Sequence, residues 1–122
     1  MSAFWAGNVY LLVSMLFGAA SQIVFKALFN EVGPLVWPPT QLLDHPGAVM
    51  RIATALILLG GAFVFWMMSI SRLNLSYAYP IACASALLVA CFSVFFLGEA
   101  VSLRMWLGTV LIVLGTIFLS LN

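Results

Sequence analysis

Four uncharged, apolar runs divide the chain, and each is bounded by charge, by proline or by a short polar turn. Trp5 to Phe25, Ile52 to Ile70, Ser76 to Leu97 and Leu103 to Leu121 each hold about 20 residues, which at ~1.5 Å per residue matches the ~30 Å hydrocarbon core of a bilayer. The pattern predicts an all-α, integral membrane bundle of four transmembrane helices. It forms one domain over residues 1–122, with helices over about 5–25, 52–70, 76–97 and 103–121 and both termini on one side. Arg51 opens the second run, Arg72 closes it, and Glu99 ends the third. The turn Leu73-Asn74-Leu75 makes the second and third helices antiparallel neighbours. Between the first two helices, residues 29–50 carry Pro34, Pro38, Pro39 and Pro46, so this proline-rich loop lies outside the hydrocarbon. Leu35, Val36, Trp37, Leu42 and Leu43 place it on the membrane interface.

Polar positions inside the runs are few and ordered. Ser14, Gly18, Gln22 and Lys26 recur every four residues in the first helix, with Ser21 adjoining, and lipid does not tolerate such a stripe. In the third helix Ser76, Tyr79, Cys83, Ala86, Ala90 and Ser93 share one face, away from Leu87, Val94 and Phe95. Packing the two faces together keeps both out of lipid and predicts a groove with Lys26 at its mouth, lined by Gln22, Ser21, Ser76 and Tyr79. Pro80 beside Tyr79 either bends the third helix or marks a later helix start. Trp66 reads equally as a core residue or a groove residue. Gly60 and Gly61 let a neighbouring helix come close, and Gly108 and Gly115, seven apart on one face, read as a dimer contact or as packing within the monomer.

Composition agrees with the pattern and excludes several classes. Hydrophobic residues make up 66% of the chain and charged ones 6%, with a mean hydropathy of +1.24, more apolar surface than a water-soluble domain hides. A formal net charge of +1 leaves no basic patch for nucleic acid. The opening MSAFWAGN lacks the positive segment of a signal peptide, so the first run reads as a span. There is one histidine, and no carboxylate pair, no nucleophile triad, no metal-ligand spacing and no glycine-rich phosphate loop, so neither an enzyme, a cofactor nor a metal site is expected. His45 beside Asp44 reads as a loop histidine, with a proton or metal site as the alternative. Cys83 and Cys91 read as small buried residues without a disulfide. Lys26, Arg51, Arg72 and Arg104 are either interfacial anchors or ligands for an anion, and Glu99 either pairs with Arg104 or caps its turn. Their distribution makes the first and third loops cytoplasmic and the termini periplasmic.

From Trp66 to Asn122 the order LNLSYAYP, FFLGE and GTVLIVLG resembles the second half of four-helix small multidrug resistance proteins of the drug/metabolite transporter superfamily. Lys26 matches a lysine that ends the first helix in that family. Proton-coupled members carry a glutamate eight residues before this lysine, where this chain has Gly18. Their tryptophan three residues after the tyrosine is here Ala82. With Tyr79-Pro80 and no first-helix acid, the chain is most similar to flippase subunits that move undecaprenyl-phosphate-linked aminoarabinose across the inner membrane of Gram-negative bacteria.

That resemblance implies a lipid-linked anionic sugar as substrate and membrane lipid as surroundings. It also implies a homodimer, or a heterodimer with a similar four-helix subunit, in the bacterial inner membrane. An anionic lipid phosphate calls for a cation at headgroup level and a groove of small or hydroxylic residues, which Lys26, Arg51, Gln22, Ser21, Ser76, Tyr79 and Pro80 supply. The alternatives are an organic-cation exporter, against which the missing membrane acid argues, and a membrane assembly subunit that transports nothing.

Overall fold

The computed structural model describes residues 2–121, which contain helices and connecting segments only. Four helices are long and apolar enough to cross a membrane: α1 (Ala3–Val32), α2 (Ala48–Ile70), α3 (Leu75–Leu97) and α4 (Leu103–Ser120). α1 begins at Ser2, whose hydroxyl accepts the Trp5 N–H (3.4 Å), and runs past Lys26 to Val32. The expected end near residue 25 was set by charge, which marks where the hydrocarbon stops. The helix itself stops at Gly33, in a left-handed conformation with φ 95°, followed by Pro34. Gly47 (φ 79°) likewise starts α2 ahead of Arg51. Between them a short 3-10 turn, Thr40–Asp44, is held by the Gln41 side-chain amide, which donates to the Pro34 carbonyl (2.6 Å). His45 donates to the Gln41 carbonyl (3.1 Å). Trp37, Leu35, Val36 and Leu43 are exposed on this loop.

α1 and α2 form the central seam, and residues at seven-residue intervals, all small but Leu28, build it. Gly7, Ser14, Ser21 and Leu28 are buried on α1, and Ala48, Ala55, Ala62 and Ser69 on α2. A strict period of seven is the signature of helices wrapping gently around each other, and small residues let their backbones approach. Two hydrogen bonds fix the antiparallel register: Ser14 donates to the Ala62 carbonyl (2.7 Å) and Ser69 to the Gly7 carbonyl (3.0 Å). Continuing that register sets Ser21 opposite Ala55 and Leu28 opposite Ala48. Gly61 is required by this closeness, because a Cβ there would lie 2.8 Å from the Phe17 ring.

At the end holding the termini, Leu11, Leu73 and Ala78 form an apolar cluster with Met15, Trp66, Ile70, Tyr77 and Ile81 around it. The Tyr77 hydroxyl donates to the Asn8 side-chain carbonyl (3.1 Å), so the start of α3 is level with the start of α1. α3 is discontinuous. Pro80 lies inside its first segment (Leu75–Cys83), the ladder breaks at Ala84, whose N–H reaches the Ile81 carbonyl (2.9 Å), and the last turn, Ser93–Leu97, is a π-turn closed by Gly98. Pro80 thus sits within the helix, ahead of a break, and the later-start reading falls away. The break is also where α3 changes partner: its first segment packs on α4 and its second on α1. α4 has no buried residue among those described and lies outboard of the other three helices.

Candidate functional site

Three open grooves meet at the break in α3. The first, about 660 Å³, lies between the end of α1, the second segment of α3 and the start of α4, and holds Gln22, Lys26, Ser85, Ser93, Glu99 and Thr109 among its walls. The second, between α1, α2 and α3, is lined by Ser14, Gly18, Gln22, Gly60, Trp66 and Ser85 among others. Gln22 and Ser85 border both, so the two grooves adjoin there. The third, between α3 and α4, is lined by Ser76, Tyr79, Pro80, Cys83, Gly115 and Thr116 among others. Cys83 joins it to the first.

The two polar stripes therefore lead into one place. On α1, Ser14 and Gly18 face the second groove, Gln22 the junction, and Lys26 the first groove. On α3, Ser76 and Tyr79 face the third groove, Cys83 the junction, and Ala86, Ala90 and Ser93 the first groove. What meets Lys26 is the far end of the α3 stripe, with Ser93 and Glu99, whereas Ser76, Tyr79 and Pro80 lie toward the opposite membrane surface. The parallel run of α1 and α3 dictates this, because the start of α3 is level with Asn8 and Lys26 lies eighteen residues on, about 27 Å along the axis. The single groove expected from packing the two faces is thus divided.

Each expected residue has a definite place. Lys26 and Gln22 are exposed to the first groove. Ser21 is fully buried on the α1–α2 seam and donates to the Gly18 carbonyl (2.8 Å), so it faces no groove. Arg51 forms an ion pair with Glu31 beside the loop, outside all three grooves. Tyr79 meets Trp66 edge to face at 5.7 Å, which makes Trp66 both a packing residue and a wall of the second groove. The carbonyl of Pro80 accepts the Thr116 hydroxyl (3.1 Å), tying α4 to the bend. Cys83 is exposed and Cys91 half-buried, which corrects the reading of both as buried. Gly108 and Gly115 have open space where a Cβ would stand, so packing within one chain does not require either glycine. Arg72 donates to the Met68 carbonyl (3.0 Å) and lies over the Tyr10 ring (5.1 Å), as an anchor does.

For Glu99 the sequence offers pairing with Arg104 or capping of its turn. Its backbone N–H donates to the Ser93 carbonyl (3.2 Å), and its side chain lines the groove that holds Lys26. The signal for that proximity is the parity of the spans: the end of the first and the end of the third fall on the same membrane surface. The seven-residue seam is hidden in the sequence, because it shares Ser14 with the four-residue stripe.

The sequence profile of the EamA-like transporter family matches residues 10–121. The chain is 35% identical over 113 residues to the probable 4-amino-4-deoxy-L-arabinose-phosphoundecaprenol flippase subunit ArnE of Yersinia pseudotuberculosis serotype O:3, covering 93% of this chain and 96% of that one. It is 28% identical over 115 residues to the protein of the same description from Photorhabdus laumondii, covering 94% and 96%. The Proteus mirabilis counterpart is 31% identical over 86 residues, 70% of this chain and 76% of that one. No solved structure matches. Four membrane-spanning helices whose polar stripes converge on grooves, matched to one profile over nearly their whole length, settle the classification: this chain is a multi-pass membrane protein belonging to the EamA-like transporter family.

Proposed function

We propose that the chain is one subunit of a flippase that moves a polyprenyl-phosphate-linked sugar across the bacterial inner membrane, working as a dimer with itself or a similar four-helix subunit. One observation carries the reading: Lys26 is the only cation lining the three grooves among the described residues, and its groove adjoins, at Gln22, one lined by Ser14 and Gly18 without any charge. A lysine near the end of the hydrocarbon holds a phosphate as a point charge while the polyprenyl tail stays in the bilayer, so only the headgroup has to travel. The names of the relatives, flippase subunits for an aminoarabinose phospholipid of this kind, support the same substrate class.

A second reading, an organic-cation exporter, draws on Glu99 in the same groove. Reconstitution separates the two. Lys26→Ala is expected to abolish headgroup translocation of a polyprenyl phosphate sugar while leaving membrane level and native mass unchanged, and Lys26→Arg to retain part of it. Normal translocation by Lys26→Ala makes the lysine an anchor and removes the site. Export of a quaternary ammonium dye by the wild-type protein in proteoliposomes favours the second reading.

A further inference from the structure

We infer that Glu99 is the residue that recognises the amino group of the headgroup, so that the first groove reads a substrate by two opposite charges. The inference rests on Lys26 as the phosphate ligand. Lys26 and Glu99 are the charged residues of this groove, contributed by α1 and by the turn between α3 and α4. Two opposite charges with no other use close on each other, yet the one ion pair among the described residues is Arg51 with Glu31. The turn does not need the Glu99 side chain either. Gly98, with φ 67° and its N–H on the Ser93 carbonyl, and the backbone N–H of Glu99 on the same carbonyl, complete it. Glu99 is half-buried as a residue, and its carboxylate has no hydrogen-bond or ion-pair partner among the described residues. A charge kept at the edge of the hydrocarbon without a partner costs free energy unless a ligand supplies one.

The ligand that fits carries both an anion and a cation. A phosphate meets Lys26, an ammonium on the sugar meets Glu99 through a charge-assisted hydrogen bond, and Gln22, Ser85 and Thr109 line the same groove for hydroxyls. A neutral sugar leaves Glu99 unmatched and is discriminated against, as sites built for a polar group reject analogues that lack it.

The test measures binding to the purified protein in lipid nanodiscs with three probes: a short polyprenyl phosphate bearing 4-amino-4-deoxyarabinose, the same lipid N-acetylated, and the bare polyprenyl phosphate. Wild-type protein is expected to bind the amino probe about tenfold more tightly than its N-acetylated form, the size of one charge-assisted contact. Glu99→Gln, nearly isosteric, is expected to erase that preference without weakening binding of the bare phosphate. Should Glu99→Gln fail to assemble, Glu99→Asp, with the charge withdrawn by one methylene, is expected to shrink the preference. Equal binding of the two sugar probes by wild-type protein, or a full preference surviving in either variant, overturns the inference. Lys26→Ala distinguishes the two readings: unchanged binding of all three probes defeats the phosphate site, whereas loss of all three with an intact wild-type amine preference leaves both standing.

Discussion

Neighbouring glycines in α2 show how little of a residue's role is carried by its type. Gly60 faces open space on a groove wall, and Gly61 faces Phe17 at 2.8 Å from where a Cβ would be. The Phe17 ring is held edge-on against Phe65 (5.5 Å), so it has little room to retreat. Gly60→Ala is therefore expected to be neutral or slightly stabilising, because alanine favours the helix, whereas Gly61→Ala is expected to lose about 1–3 kcal/mol by overpacking. Reversible unfolding of both variants in mixed detergent micelles checks this. Sequence alone grouped the two as small residues for close approach, since adjacent positions on a helix differ by ~100° and only a known partner says which one is covered. Ser21 was misplaced for the same reason. A hydroxyl inside a membrane helix has two satisfactory homes, a groove or its own backbone, and the Gly18 carbonyl was available.

Helix positions were legible because the bilayer demands length and hydropathy, and those are additive properties of a run. Helix ends were less so: Gly33 and Gly47 govern them, while Lys26 and Arg51 only mark the water boundary. The break at Ala84 was half visible, in Pro80. Its companion π-turn at Ser93–Leu97 carries no proline and leaves no comparable trace. The α1–α2 seam offers the sharper test at this scale. Ser14 and Ser69 make one cross-helix bond each, about one heptad apart along the seam, so their loss is expected to be additive. Ser14→Ala and Ser69→Ala should each cost about 0.6 kcal/mol, and the double variant about twice that, in unfolding from lipid bicelles. A double variant much worse than the sum would mean that the two bonds hold one cooperative unit.

For the molecule as a whole, the asymmetry between its halves matters most. α1 and α2 bury a full seam, whereas α4 packs mainly on α3 and leaves Leu107, Leu114 and Phe118 exposed. On this outboard helix a Cβ at Gly108 or Gly115 would meet no atom within 4 Å, Gly115 standing on the wall of the third groove, and such uncovered glycines suit the close approach of a helix from another chain. Gly108→Leu and Gly115→Leu are expected to convert the proposed dimer to monomer in native mass spectrometry from mild detergent, with helical content unchanged. A dimer that persists in both variants places the contact elsewhere. The convergence of the grooves was the feature hardest to see beforehand, because it depends on α3 changing partner midway. Each stripe was legible, but where they meet was not.

The periodic seam between α1 and α2 has one more consequence. With small residues every seventh position on both helices, sliding one helix by seven residues would set Gly7 against Ala62 and Ser14 against Ala55, again small against small. Such a slip is about 10 Å, and the connection over residues 33–47 is long enough to follow it. Within the chain, the Ser69–Gly7 bond and the gap that Gly61 leaves for Phe17, filled by Thr54 after such a slip, hold the observed register. Lipid holds it from outside: a slip of 10 Å in a hydrocarbon layer of ~30 Å drives a third of one apolar span into water or draws Arg51 or Arg72 into the bilayer interior. The thickness of the membrane, which the chain does not encode, thus reinforces its internal alignment, and a markedly thinner or thicker bilayer presses directly on the level at which Lys26 meets the groove.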